Sequence, residues 1–416
     1  MDNHNQDVDI LIVGGGLIGA TLMLALANTA YRVVLVDAVP FSSRTDPDFD
    51  ARSLALSPAS TRIMQMLDIW PLLEPKACPI DTIHVSEQSA FGCAHLRGDG
   101  TTKLGHVVEL QDISHALHQQ LNLKHVLAPA ELVALDKEQG IATIRQGDIE
   151  LQIKAKLIVA ADGADSSVRA LCGMAAKIKD YHQHAIVANI GLARAHQHIA
   201  YERFTANGPL ALLPMNGQRA SMVWALPPDE AKETMALSDK DFLNRLQRNF
   251  GYRLGRFTSV GKRVSYPLRR FTMPKQTCGS VIFVGNAAHT LHPVAGQGFN
   301  LGLRDVAMLA QCIVQQGINP GMLTHYESQR MGDQTSTSRF TDGLIQVFTS
   351  DFPGIGLARR AGLIAFDQIP ALKAILARYA HGFAGVLPDL VCQIPFKLDS
   401  TPYFLIAASS ADIKTE

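Results

Sequence analysis

Val8-Asp9-Ile10-Leu11-Ile12-Val13-Gly14-Gly15-Gly16-Leu17-Ile18-Gly19, followed by Arg32-Val33-Val34-Leu35-Val36-Asp37, is the stretch whose reading decides the fold. Val8 to Val13 is a β-rich run with little alternation, as expected of a parallel strand buried on both faces. Glycines follow at once, residues 20–30 read as a helix, and 32–36 reads as a second buried strand ending on Asp37. This is a complete strand–helix–strand unit, with the acid about 20 residues beyond the glycines. The three motif glycines serve different physical ends. Gly14 permits a tight turn, Gly16 lets backbone approach a pyrophosphate, and Gly19 lets the helix pack closely on the sheet. The helix start offers free N–H groups and a positive dipole end. Asp37 is placed to accept hydrogen bonds from ribose hydroxyls and disfavours a 2′-phosphate. The nucleotide expected is therefore FAD or NAD.

Outward from this unit, residues 40–58 are loop-like, 57–67 reads as a helix, and 107–123 carries a second helical pattern. Residues 131–159 read as a meander ending in an apolar run. Residues 186–226 alternate, with turn signals at Asn207-Gly208-Pro209 and Met215-Asn216-Gly217, as in an antiparallel sheet. A buried strand is expected at 280–284 and a long helix from about Phe299 to Gln315. The tail 341–384 reads as mostly helical, broken at Pro353, Gly354 and Pro370. The fold class is α/β mixed with α+β. A Rossmann-type domain is assembled from discontinuous segments (1–180 and 276–340), with an inserted antiparallel-sheet substrate domain (181–275) and a helical C-terminal region (341–416).

Composition narrows the function classes. The 38 basic and 38 acidic side chains balance, so no nucleic-acid partner is expected. The 6 cysteines are scattered without a CxxC pair, which suggests neither a disulfide framework nor a zinc site. The polar start, Met1 to Asp9, lacks the pattern of a secretory signal. No apolar run is long enough to cross a bilayer. The expected location is the cytoplasm, with peripheral contact at the inner face of the membrane as the alternative reading.

Two further segments separate FAD from NAD. They are Ile158-Val159-Ala160-Ala161-Asp162-Gly163-Ala164-Asp165, continuing to Arg169, and Val284-Gly285-Asn286-Ala287-Ala288-His289, continuing through His292 and Pro293 to Gly302. With the first motif they resemble, in order, the three fingerprints of the FAD-dependent aromatic hydroxylases related to para-hydroxybenzoate hydroxylase. Within that superfamily the chain is most similar to the ubiquinone-biosynthesis ring hydroxylases. The stretches carrying this likeness are Ala51 to Ser57, Glu202-Arg203-Phe204-Thr205, Gly208 to Pro214 and His292 to Asp305. The third fingerprint departs from the usual Gly-Asp: it reads Gly285-Asn286. Asn keeps an acceptor oxygen for the ribityl hydroxyls and adds donors. Asn here also resembles the branch acting on 2-polyprenyl-6-methoxyphenol.

The resemblance implies a monooxygenase in which NAD(P)H visits transiently and reduces FAD. O2 is then carried as a C4a-hydroperoxide to a prenylated phenol. Gly14, Gly16, Gly19, Asp37, Arg52, Asp162, Gly163, Gly285, Asn286, Pro293, Gly296, Gly298 and Asn300 are the expected cofactor-binding residues. The helix after Gly298 points its positive end toward the flavin, and Asn300 could donate to the same edge. His292 and Pro293 are candidates for the catalytic step, His292 as a proton relay. Arg169 is expected to fix the turn at Asp162. Leu212, Leu213, Met222 and Trp224 suit either a sheet core or a prenyl-binding wall. The pairs His182/His184 and His196/His198 lack further ligands at metal spacing. The basic, apolar tail with Arg359, Arg360, Lys373 and Arg378 either caps the flavin domain or rests on anionic lipid. Association with other ubiquinone-biosynthesis proteins is a further partner implied. Rival readings are a different phenol or ubiquinone precursor on the same scaffold, and a non-catalytic flavin-binding member of a biosynthetic complex.

Overall fold

The structure is a computed structural model that describes residues 5–41, 52–88, 92–98, 103–292, 296–349, 368–369 and 377–396. The opening unit folds as β1 (Asn5–Val13), α1 (Leu17–Leu26) and β2 (Val33–Val36). α1 starts immediately after Gly16, earlier than the expected residue 20, because the turn off β1 is complete within Gly14, Gly15 and Gly16.

β1 lies at the centre of an eight-stranded sheet, parallel to β2 on one side and to the Ile149–Ala160 strand on the other. The Val281–Phe283 strand, far away in sequence, pairs parallel with Ile149–Ala160, so the sheet is assembled from separated segments as expected. Register then sets the chemistry. Val36 pairs with Val13, Val13 with Ala160, and Ala160 with Phe283. All four strands therefore end along one line. Asp37, Gly14, Ala161 and Val284, the residues that follow, share one edge of the sheet. This is the carboxyl end, where open parallel sheets present ligands.

A second eight-stranded sheet is mostly antiparallel and runs through Lys177–Leu192, Arg219–Leu226, Gly208–Met215 and Ile199–Thr205. It also recruits Thr82–Glu87 and Cys93–Arg97, the first pairing parallel with Ile199–Thr205. The antiparallel sheet thus draws strands from before as well as within 181–275. The helices Pro228–Ala236 and Asp239–Phe250 cover one of its faces, and Leu212, Met222, Trp224, Phe242 and Leu246 form a core there. Leu213, one residue along, points to the opposite face and packs with Ala55, Ile80 and Leu96. The period of two in a strand thus splits the four residues expected to act together. Three belong to the core and one to the other face.

A second expectation is corrected at 107–123. A strand, Gly105–Glu109, comes first and the helix spans Leu110–Gln120. The adjacent β-branched Val107 and Val108 are both buried because this strand is central in a three-stranded sheet, between Ser53–Leu56 and Cys78–Ile80. The helix expected at 299–315 spans Gln297–Gln316, and Pro320–Thr349 forms one continuous helix. Of the tail, residues 350–367 and 370–376 lie outside the described residues, while 377–380 are helical.

Leu212→Ala is expected to lower the unfolding free energy by about 2–5 kcal/mol, the usual cost of emptying a closed core. Leu213→Ala should cost clearly less, because Leu213 is only partly buried and one side of it borders a cavity. Urea midpoints of the two variants, measured side by side, check the opposed facing of adjacent residues.

Candidate active site

A cavity of about 1770 Å³ lies between the carboxyl edge of the first sheet and the open face of the second. The first sheet contributes Gly16, Leu17 and Ile18, then Ala161, Gly163 and Ala164, then Gly285 and Asn286. The start of the Gln297–Gln316 helix adds Gly296 to Asn300, and the 52–57 segment adds Arg52 to Ser57. The sheet wall is apolar, built from residues such as Ile83, Leu96, Ala211, Leu213 and Val223.

Close backbone packing shapes the first-sheet side. Gly14 has φ of +105°, and a Cβ there would lie 2.5 Å from the Ala161 carbonyl oxygen. A Cβ on Gly19 would fall 1.8 Å from the Gly14 carbonyl oxygen. Neither position admits a side chain. Gly16 differs: a Cβ there meets nothing within 4 Å, so its face opens onto the cavity. Gly298 is open in the same way. The first residues before α1 and before the Gln297–Gln316 helix, Gly16 and Gly296, supply no side-chain cap. By contrast Ser57, Ser166 and Ser238 cap three other helices. Two helix N-termini therefore present bare N–H groups and positive dipole ends to the cavity. A pyrophosphate and the electron-rich edge of a flavin are groups that such ends receive.

The second and third motifs are held by Asp162, which does not line the cavity, and by Arg169, which does. Asp162 Oδ2 accepts from the Val168 N–H and the Ser167 hydroxyl, each at 3.1 Å, which closes the loop around Gly163. Arg169 donates to the Ala164 and Ala287 carbonyls, joining the second motif to the third; its expected role in the turn is what the structure shows. Asp37 accepts from the Gly15 and Val39 N–H groups, so its carboxylate is partly engaged by its own loop. His118 bonds the Gly15 carbonyl at 2.9 Å and stacks on Phe41.

Asn300 requires a correction. Its amide donates to the carbonyls of Ala55 and Gly296, at 2.9 and 2.8 Å. Its oxygen accepts from the Ser57 N–H and the Ser60 hydroxyl, at 2.9 and 2.7 Å. All four hydrogen-bonding positions are used. Asn300 braces the 52–60 segment against the helix start, and no donor is left for a cofactor. His292 is also displaced from its expected role. It is buried beside Tyr181, ring centroids 4.9 Å apart, and does not line the cavity. Burial pushes its pKa down to about 4, so the ring is neutral near pH 7. Pro293 lies outside the described residues.

The residue the motifs did not single out is Asp305. Its Oδ2 accepts from the Gly285 N–H at 3.1 Å and from His289 Nε2 at 2.6 Å. Its Oδ1 accepts from Arg330 Nε at 2.8 Å and Gln334 Nε2 at 3.0 Å. Arg330 continues to Asp333, which also binds Arg304. All of these charges are buried. Burial alone would raise the Asp305 pKa, but His289 and Arg330 outweigh it and hold the carboxyl well below the usual range. A signal existed in the sequence: Arg304-Asp305 interrupts an apolar helix between Leu303 and Val306.

Residues 7–338 match the family model described as an FAD binding domain. The chain belongs to this FAD-binding family. A ubiquinone hydroxylase of Rhodospirillum rubrum, UbiL, is 35% identical over 393 residues, covering 92% of this chain and 91% of that protein. The 3-demethoxyubiquinol 3-hydroxylase of Escherichia coli is 29% identical, covering 91% of this chain and 99% of that protein. The crystal structure of p-nitrophenol 4-monooxygenase PnpA from Pseudomonas putida DLL-E4 shares the fold, with a TM-score of 0.75 and 16% identity over 91% of this chain and 99% of that one. The expectation of an FAD-dependent monooxygenase, an oxidoreductase, is met. Among the described residues no helix is long and apolar enough to cross a membrane.

Asp305→Asn places an amide N–H₂ against groups that are themselves donors. The loss expected at pH 7 is about 3–5 kcal/mol of unfolding free energy, as for other broken buried pairs. A depressed carboxylate stabilises the fold fully above its unfolded pKa of about 3.9 and ceases to do so as pH falls toward the lower folded value. The gap between the variant and the parent should therefore stay level near neutral pH and narrow below about pH 4. Urea titrations across that range decide it.

Proposed function

We propose that this FAD-dependent monooxygenase hydroxylates the ring of a polyprenylated phenol in ubiquinone biosynthesis, with O2 and NAD(P)H as co-substrates. The observation that carries this reading is the shared cavity: a polar, backbone-rich first-sheet side faces an apolar second-sheet wall. A cofactor with phosphates suits the first side and a prenylated ring suits the second.

Bound FAD would supply the hydride acceptance and oxygen activation that the side chains lack. The protein's own work is positional. The N–H groups at the start of α1, exposed at Gly16, would hold the pyrophosphate, and Asp37 would take the adenosine ribose. Gly163, Gly285 and Asn286 would lie along the ribityl chain. Asn286 is exposed at the cavity edge and free to orient either its oxygen or its N–H₂. Gly296 and Gly298 would leave room for the flat ring system, with the helix dipole at its electron-rich edge. The apolar sheet wall would exclude water from the reacting atoms. Arg52, which lines the cavity from the 52–57 segment, stands near Tyr266 and would reach the cofactor from the other side.

The relatives' names support a ring hydroxylation in this pathway, and the Asn at 286 favours 2-polyprenyl-6-methoxyphenol as the substrate. A substrate of this kind resides in lipid, so peripheral contact with a membrane and association with other enzymes of the pathway belong to the same proposal.

Purified protein is expected to be yellow and to oxidise NAD(P)H faster when a 2-alkenyl-6-methoxyphenol is added. Mass spectrometry under ¹⁸O₂ should find one labelled oxygen on the product ring. NAD(P)H consumption that yields unlabelled or no hydroxylated product across a phenol series would reject the reading. Gly16→Val, which pushes a branched side chain into the phosphate position, should lose flavin on gel filtration while keeping its circular dichroism. Retention of stoichiometric FAD by that variant would remove α1 from the cofactor site.

A further inference from the structure

One ionisable group on the sheet wall plays no part in the scheme above. Glu202, on the Ile199–Thr205 strand, lines the cavity, and its Oε1 is sealed from solvent with no hydrogen-bond partner among the described residues. Its setting is given by the register of five strand pairings. Ala94 pairs with Val85, Val85 with Glu202, Glu202 with Ala211, Ala211 with Val223, and Val223 with Val187. All six residues line the cavity. They form one row straight across the sheet, and every member except Glu202 is Ala or Val.

A carboxyl in such a row is costly. A buried polar atom without a partner forfeits the hydration it had in water, and loses more when the group is charged. A sheet that needed only a hydrophobic wall would place a valine there. The flanking Arg203 points away, to Asn249 and Ser86 on the other face of the strand, and gives Glu202 no ion pair. Small neighbours on both sides, Val85 and Ala211, leave the carboxyl as the one polar group in this row that a ring lying across it could meet.

Building on the monooxygenase reading, we propose that Glu202 is the docking point for the substrate's phenolic hydroxyl and takes its proton as the ring is oxygenated. The phenol O–H bond breaks and an O–H bond forms on the Glu202 carboxylate. The electron pair left on the phenolic oxygen spreads to the ortho and para carbons, making them the nucleophilic positions. No electrons pass to or from Glu202. Once oxygen has been inserted, the carboxyl proton returns to the ring oxygen, and the hydrogen on the oxygenated carbon leaves as a proton that ends in the water formed from the second oxygen atom of O2. Aromaticity and the carboxylate are both restored. Burial pushes the Glu202 pKa up to about 7, which brings its proton affinity closer to that of a phenol than an exposed carboxylate would be.

Two ligand series test this on the FAD-loaded protein and its Glu202→Gln variant. The first series compares a 2-alkenyl-6-methoxyphenol with its methyl ether, with binding read from the perturbation of flavin absorbance. Glu202→Gln should weaken the phenol by roughly tenfold, the scale of a charge-assisted hydrogen bond, and leave the ether unchanged. The second series varies phenol acidity with ring substituents. The turnover deficit of Glu202→Gln, about 10²-fold or more for a weakly acidic phenol, should shrink for phenols already ionised in solution. A role confined to supporting the wall would weaken phenol and ether alike and give a deficit independent of acidity. Either of those results overturns the proposal. If the parent protein hydroxylates no phenol, the monooxygenase reading of the substrate fails. The binding series still decides whether Glu202 receives a phenolic hydroxyl.

Discussion

The Asp305 carboxylate is the point on which the first-sheet side of the cavity depends. Three parts of the chain converge on it: the third motif through Gly285 and His289, the helix that carries it, and the following helix through Arg330 and Gln334. The Gly285 turn forms part of the cavity wall, and the same helix begins at Gly296 on another part of that wall. Fixing the distance from Asp305 to both therefore fixes the spacing between a turn and a helix N-terminus. Such a network is not needed for stability as such, since well-packed apolar groups often do as well. What apolar groups cannot supply is direction. Four donors around one carboxylate admit one arrangement of the turn, and the site's geometry follows from it.

The same division of labour recurs around the cavity. Asp162, Arg169 and Asn300 spend most of their hydrogen bonds on backbone of the loops that border the cavity. Polar side chains hold loops still, and the loops offer bare backbone. This suits a large ligand with phosphates and a flat ring, because backbone N–H groups approach closely without the rotamer entropy of a long side chain. Gly16 and Gly298 are open at the cavity for that reason, whereas Gly14 and Gly19 are closed by packing.

Much of this is legible in the residues. The β1–α1–β2 unit can be read because its strand is fully buried and its glycines sit where sterics allow nothing else. The joining of 281–283 to the first sheet follows from the apolar character it shares with β1. Asn300 misleads because a conspicuous amide beside a glycine pair reads as a ligand contact, while its four partners, Ser57, Ser60, Ala55 and Gly296, are set by tertiary folding. The start of Leu110–Gln120 is hard to place because Val107 and Val108 fit a helical pattern as well as a central strand. Asp305 can be suspected from its place inside an apolar helix. Glu202 cannot, because its row across the sheet depends on five registers and on Thr82–Glu87 joining a sheet from outside the expected segment.

That recruitment has a consequence for the reacting end of the cavity. Thr82–Glu87 and Cys93–Arg97 extend the sheet beyond Ile199–Thr205, so this strand is internal and Glu202 sits in the interior of the wall instead of at its rim. On an edge strand the same carboxyl would reach bulk water and behave as an ordinary acid. Inside the wall it has only the cavity to face, and its ionisation is coupled to whatever fills that space. The extra strands thus convert a surface glutamate position into one whose charge answers to the ligand. They also set the sheet's apolar area against the first-sheet side of the cavity.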